Sequence, residues 1–191
     1  MTARALSLPG AAPTPDDALF ARIADGDLGP LGELFDRHHA DVRRLLVRIL
    51  VDATEADDLV QETFLTAARA AASFEPGGSA RKFLLGVAGQ LVRRRRRGFA
   101  RLRAMLSALS RAPVAPPKSA EELLCASEDD AAVKAAIARL SEDQRIVIVM
   151  VELGGMSGVE VARSLGVPAG TVWRRLHEAR GALRRALEKS R

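Results

Sequence analysis

Apolar residues recur along this chain with the period of an α-helix and almost nowhere with that of a strand, which restricts the fold more than any single motif does. In "ADDLVQETFLTAARAA" the positions Ala56, Leu59, Val60, Thr63, Phe64, Ala67, Ala68 and Ala71 fall on one stripe at i, i+3, i+4, i+7 spacing. The other side leaves Asp57, Asp58, Gln61, Glu62 and Arg69 to water. Stripes of the same kind run through Val42, Leu45, Leu46 and Ile49, through Leu84, Val87, Ala88 and Leu91, and through Val133, Ala136, Ile137 and Leu140. The run with the most strand-like composition, "RIVIVMVEL", still continues a helical stripe through Ile146, Val149, Met150 and Leu153. The spacing predicts an all-α chain.

The periodicity lapses over Ser107 to Asp130, "SALSRAPVAPPKSAEELLCASEDD", where Pro113, Pro116 and Pro117 remove backbone donors and bias their predecessors away from the helix. This segment is the expected linker. It divides the 191 residues into a tail over 1–15, a helical domain over 16–106 and a smaller helical domain over 131–191. Lys and Arg total 29 against 24 Asp and Glu, unevenly placed. Acids outnumber bases from Asp16 to Glu62, whereas Arg93 to Arg103 and Arg163 to Arg191 are strongly basic. Separate surfaces with separate partners follow, at least one partner being a polyanion. The single cysteine, Cys125, excludes an internal disulfide and a multi-cysteine zinc site, and no apolar stretch approaches the ~18 residues of a membrane span. The opening "MTARALSLPGAA" is too broken for a secretory signal. A cytoplasmic protein that does not insert in membranes is expected.

The C-terminal part, "SGVEVARSLGVPAGTVWRRLHEARGALRRAL", predicts a short helix packed through Val159, Ala162 and Leu165 and a corner at Gly166. A longer helix follows, with Val172, Leu176, Ala179, Leu183 and Leu187 inward. That is a helix-turn-helix pattern, whose second helix enters the DNA major groove. Thr171 opens that helix, and Trp173, Arg174, Arg175, His177 and Arg180 lie on or beside its outward face. Arginine there reaches phosphates for affinity or guanine edges for specificity. The run "LVRRRRRGFARLR" spreads Arg93, Arg94, Arg95, Arg96 and Arg97 around a helix as a sleeve of charge, suited to phosphate contact through counterion release. An ordinary solvated basic face, or docking on anionic lipid, is the alternative for these features.

Taken together, "DDALFARIADGD", "LGELFDRHHADVRRLL", "ADDLVQETFL", "SFEPGGSARKFLLGVA" and the stretch from "AIARLSEDQRIVIVMVELGG" to the end resemble, in order and spacing, the extracytoplasmic-function sigma factors of bacterial RNA polymerase. These are the small sigma-70 type with only the second and fourth conserved regions. The resemblance implies a region 2 bundle and a region 4 helix-turn-helix. It implies that Asp57, Asp58, Gln61 and Glu62 bind the clamp helices of the polymerase's largest subunit. Phe74, Glu75, Ser79, Arg81 and Lys82 would capture an unstacked base of the minus-ten element, with Arg93 to Arg97 on its backbone. Base extraction costs a few kcal/mol and needs a pocket that stacks and hydrogen-bonds. The helix-turn-helix would read the minus-thirty-five element, beside the flap of the second-largest subunit. Glu121, Glu122, Glu128, Asp129 and Asp130 would lie in the RNA exit path, and an anti-sigma factor is an expected partner. Neither a cofactor nor an enzymatic activity is implied.

The chain departs from the family pattern at several places. Phe83-Leu84 replaces the usual Trp-Leu, and Ala88-Gly89-Gln90 replaces Ala-Arg-Asn. Gly86 and Gly89 should each weaken their helix by about 1 kcal/mol relative to Ala. Trp173-Arg174 stands for Lys-Ser, and Pro168 for a serine cap. Trp173 either contacts DNA or fills a gap against protein. His38-His39 is no metal pair by spacing, because adjacent residues do not share a helix face. Asp57, Asp58 and Glu62 have no nucleophile or phosphate loop near them in sequence, and Cys125 has no basic neighbour. A helix-turn-helix regulator with a ligand-sensing domain and a polymerase adaptor that does not open DNA are the competing functions.

Overall fold

The computed structural model describes residues 14–50, 53–109, 133 and 135–188, and the expected tail, most of the linker, Cys125 and the linker acids lie outside them. Among the described residues, the bounded α-helices are α1 (Asp16–Ala24), α2 (Leu31–Leu50), α3 (Ala53–Arg69), α4 (Ala80–Leu109), α5 (Glu142–Glu152), α6 (Gly158–Leu165) and α7 (Ala169–Glu188). A 3-10 turn spans Ala71–Ser73, and residues 135–138 are helical. Among the described residues there is no strand, as the periodicity requires. None of these helices is long and apolar enough to cross a membrane.

The predicted stripes are the buried ones. Ala56, Leu59, Val60, Phe64 and Ala67 of α3 pack with Val42, Leu45, Leu46 and Ile49 of α2 and Leu84, Ala88 and Leu91 of α4. Thr63 sits among them because its hydroxyl donates to the Leu59 carbonyl at 2.6 Å, satisfying the polar group within its own helix. In α6 the buried face is Gly158, Val161, Ala162 and Leu165, and the expected core residue Val159 is 55% exposed. Val161 lies three residues after Gly158 and four before Leu165, on the buried stripe, whereas Val159 falls off it.

Caps determine the C-terminal geometry. Ser141 and Gln144 form a reciprocal capping box on α5, and Ser157 and Glu160 form another on α6. Gly166 ends α6 with φ 60°, and the Gly166 and Val167 N–H groups donate to the Arg163 and Ala162 carbonyls, which is the Schellman closure. Pro168 precedes α7 without a side-chain cap, and the Thr171 N–H donates to its carbonyl at 2.9 Å.

Two features differ from the sequence reading. The 30-residue α4 runs to Leu109, so Ser107 to Leu109 are helical where the linker was expected to begin; the first proline comes only at Pro113. The C-terminal helices are also not held off on a tether: Leu140, Ile146, Met150, Val161 and Leu165 join Leu46, Leu84, Leu85 and Ala88 in one continuous core. Arg145 seals this junction. Its guanidinium donates to the Ile49 carbonyl in the last turn of α2 at 3.0 Å and to the Ala138 and Leu140 carbonyls at 3.1 Å. Burial pulls its pKa below the ordinary arginine range, opposed by neighbouring Glu142. Charged hydrogen bonds of this kind contribute about 1.5–3 kcal/mol each, and orphaned buried carbonyls cost more than absent ones. Arg145→Met is therefore expected to lower the unfolding free energy by about 2–3 kcal/mol in urea denaturation. Arg145→Lys should recover only part of it, since one ammonium lacks the guanidinium fork.

Candidate nucleic-acid interface

The loop between α3 and α4 is built on Glu75-Pro76-Gly77-Gly78. Pro76 followed by Gly77 at φ 78°, with the Gly78 N–H donating to the Glu75 carbonyl at 2.9 Å, makes a type II turn. A Cβ on Gly78 would meet that carbonyl oxygen at 2.7 Å, so the turn also excludes a side chain there. Asp17 of α1 accepts from the Gly77 N–H at 2.6 Å and holds the loop down. Ser79 starts α4, its hydroxyl accepting from the Lys82 N–H.

The ring of Phe74 is mostly buried, stacked on Phe20 at 4.3 Å and edge-on to Phe83 at 5.5 Å. With Glu75, Ser79 and Lys82 it also borders a cavity of about 300 Å³ whose other wall is Met156, Glu160 and Arg163 of the C-terminal part.

The basic residues divide into engaged and outward sets. Arg81 donates to Asp41 at 3.0 Å and to the Gly154 and Leu153 carbonyls at 2.8 and 3.2 Å. Lys82 pairs with Glu160 at 2.9 Å. Arg93 donates to the Leu165 carbonyl, and Arg96 pairs with Asp143. Burial lowers the Arg93 pKa, helped by its neighbours Arg97 and Arg175. Arg95 lies 3.5 Å from Glu55 and over the Phe99 ring, whereas Arg94 and Arg97 face solvent.

On α7 the structure separates residues that the sequence grouped. Arg175 is turned in against Asp143 at 2.6 Å and its side chain is 17% exposed, so it braces α7 on α5 instead of standing on the outward face. Trp173, Arg174, His177 and Arg180 are exposed, and Thr171 is half-buried. Among the described residues, Arg174 pairs with Glu178 of its own helix and Arg180 with Glu152. Exposed pairs of this kind contribute little, so phosphate displaces them readily. The Trp173 indole lies over the backbone of Gly158, where a Cβ would come within 2.7 Å of its ring. It fills the α6–α7 gap and keeps half its surface outside.

In the N-terminal bundle, Asp57, Asp58, Gln61 and Glu62 of α3 are all exposed, with Asp57 held by Arg43 at 2.7 Å. Leu65, 51% exposed, continues this face one turn on from Gln61. It was not among the sequence candidates, although an apolar residue off the buried stripe of α3 is the signal that finds it. His38 binds Asp16 at 2.9 Å and ties α2 to α1, whereas His39 donates through Nδ1 to the Phe35 carbonyl at 3.0 Å and stacks on its ring within α2.

The site thus has a basic helix-turn-helix and a basic helix on one chain together with an acidic exposed face on α3, which Arg95 touches at Glu55. The family model for Sigma-70 region 2 matches residues 34–102 and that for Sigma-70, region 4 matches residues 130–183. This is the two-region layout of a sigma-70-type factor. ECF RNA polymerase sigma factor SigE of Mycolicibacterium smegmatis is 32% identical over 176 residues, which cover 90% of this chain and 67% of that protein. SigM of Mycobacterium tuberculosis is 32% identical over 178 residues, 90% of this chain and 84% of that one. The solved structure of CnrH in complex with the cytosolic domain of CnrY is 27% identical with a TM-score of 0.62, over 92% of this chain and 99% of that chain. The sigma factor RpoE of Bartonella quintana, solved with the anti-sigma factor NepR, shares the fold at a TM-score of 0.61 and 24% identity, over 89% and 99% of the two chains. The chain belongs to the sigma-70 family, among its ECF RNA polymerase sigma factors.

One titration follows from the Lys82–Glu160 junction. The Ser157 N–H and then Lys82 hold the Glu160 carboxyl at about 2, down from an ordinary 4.5. A depressed folded-state pKa gives stability that is complete above the unfolded value and is lost as pH falls through the folded one. Between pH 4.5 and 2 the wild type is therefore expected to lose more stability than Glu160→Gln, read as the difference between their urea midpoints across that range.

Proposed function

We propose that this protein binds core RNA polymerase in the cytoplasm, directs it to specific promoters and assists local melting, making and breaking no covalent bond. The observation that carries the proposal is the coexistence of an exposed Asp57, Asp58, Gln61, Glu62 and Leu65 face on α3 with an outward Trp173, Arg174, His177 and Arg180 face on α7. In this reading the α3 face meets the clamp helices of the largest subunit, and α7 enters the major groove of the minus-thirty-five element beside the flap of the second-largest subunit. Glu75, Ser79, Arg81 and Lys82 receive the minus-ten base, with Phe74 supporting the loop from within, and Arg93 to Arg97 follow the backbone. The mechanism is differential binding: contacts to duplex at one element and to an extracted base at the other make the opened promoter the best-bound form. A regulatory protein partner, an anti-sigma factor, belongs to the proposal, supported by the capture of CnrH with CnrY.

Transcription in vitro with purified core polymerase and fragmented genomic DNA is expected to yield discrete new starts sharing two spaced upstream elements only when this protein is added. Their absence with folded protein would refute the proposal and favour a polymerase adaptor. Arg174→Ala combined with Arg180→Ala should reduce those starts by about tenfold or more while leaving core binding intact, as expected when two phosphate or base contacts are lost. Asp58→Ala combined with Gln61→Ala should weaken core binding in a fluorescence titration and lose starts only in proportion, with recovery at excess variant. Weakened core binding by the Arg174/Arg180 variant, or unchanged core binding by the Asp58/Gln61 variant, would contradict the division of faces.

A further inference from the structure

Among the described residues of α7, Trp173 is the large apolar side chain left exposed, at 52%. Such a residue, scattered singly on a surface, needs no explanation. This one heads a pattern: Trp173, His177, Arg180 and Arg184 follow at i, i+4, i+7, i+11 spacing and form one exposed stripe along the helix. Trp173 stands in the second turn of α7, near the end from which a recognition helix addresses base edges. Gly170, one turn earlier on the same side, has no side chain, and a Cβ there would meet nothing, so the helix start is bare beside the indole. The indole is also seated. A Cβ on Gly158 would stand 2.7, 2.8 and 3.0 Å from its Cζ2, Cη2 and Cε2, so that side of the ring rests on the backbone of α6. Arg175, tied to Asp143 at 2.6 Å, holds the same helix against α5. A flat ring with two torsions, one side of it already packed, loses little freedom when its other side meets a partner.

We propose that Trp173 is a specificity-determining residue, whose exposed ring reads the C5-methyl group of a thymine in the minus-thirty-five element. The inference rests on the sigma reading above and adds the base that one side chain selects. In the major groove every base presents hydrogen-bonding groups or N7, and thymine alone adds an apolar group. An indole has one donor, Nε1–H, and no acceptor, so it makes none of the bidentate pairs that identify guanine or adenine. Against those bases it strips water from several polar atoms and returns at most one hydrogen bond, whereas against thymine it buries a methyl. Selection therefore has an attractive and a repulsive part. His177, Arg180 and Arg184, further along the stripe, are suited to phosphates and guanine edges, so the thymine contact lies at one end of a polar readout.

The test is transcription in vitro by core polymerase with the full chain, on a promoter found among the mapped starts. Each thymine of its upstream duplex element, on either strand, is replaced in turn by deoxyuridine, which pairs as thymine does and lacks only the methyl. At one thymine, or at two neighbouring ones, starts are expected to fall about fourfold, the effect of leaving one methyl-sized group unburied. With Trp173→Ala the thymine and deoxyuridine templates should be used equally well. Trp173→Gln, long enough to cover Gly158 but polar at its tip, should also lose the preference, and it reads the same ratio if Trp173→Ala does not fold. Trp173→Phe, which keeps an apolar ring, should retain part of it. A tryptophan that only packs against α6 would lower starts on both templates by one factor and leave their ratio unchanged, and that result overturns the proposal. An unmodified chain indifferent to deoxyuridine at every thymine of the element, or an element without thymine, overturns it as well. Absence of promoter-directed starts from the unmodified chain on ordinary DNA overturns the sigma reading instead.

Discussion

The arrangement of this chain depends on how α4 divides its surface. One stripe, Leu84, Leu85, Ala88, Leu91 and Val92, is wholly apolar and closes the bundle made by α1 to α3. Gly86 and Gly89, facing Ser164, Met150 and Leu165, form a second strip with no side chain at all. Dispersion contacts fall off within a fraction of an ångström, so a helix that presents backbone instead of methyl groups gains contact only with a partner that comes unusually near. The glycines therefore cost propensity in α4 and recover it as packing against α5 and α6. Their effect cannot be judged from α4 alone.

Close approach has an electrostatic consequence. With α6 drawn down, its last carbonyls come within reach of Gln90 and Arg93, and the arginine run that would otherwise be a uniform sleeve becomes two populations. Arg94 and Arg97 stay in solvent, whereas Arg93 and Arg96 are partly desolvated beside Arg175. Moving arginines out of water is offset only where carbonyls and carboxylates replace the lost hydration, so the net value of such ties is small even when their geometry is good. Small net value is what a surface needs if a polyanion is to compete for the same side chains.

Most of the helices were legible in the sequence because each buries a stripe long enough to show its period, as α3 does from Ala56 to Ala67. The helix-turn-helix corner was legible for a different reason: Gly166 sits where only a left-handed residue closes the turn. Both capping boxes were equally readable, as Ser-Glu-Asp-Gln from Ser141 and Ser-Gly-Val-Glu from Ser157. Phe74 could not be placed this way, since its partners Phe20 and Phe83 come from two other helices. The purpose of Gly86 and Gly89 was hidden for the same reason: the atoms that need the space belong to Met150, Ser164 and Leu165, far along the chain. Which residues stand on exposed faces was thus readable from local pattern, and positions set by a distant contact were not.

Gly158 and Trp173 carry the same principle into the recognition element. The smallest residue of α6 lies under the largest of α7, and any side chain at Gly158 would push the indole outward. This close contact ties the spacing of the two helices to Trp173, while half of the indole remains exposed on α7. A residue in that position links specificity to packing: changing it alters both what α7 presents and how far forward α7 stands. Arg175, braced on Asp143, fixes the same helix from behind. The outward residues Arg174, His177 and Arg180 are then displayed by a helix held at two points, which is the preorganisation that groove recognition rewards.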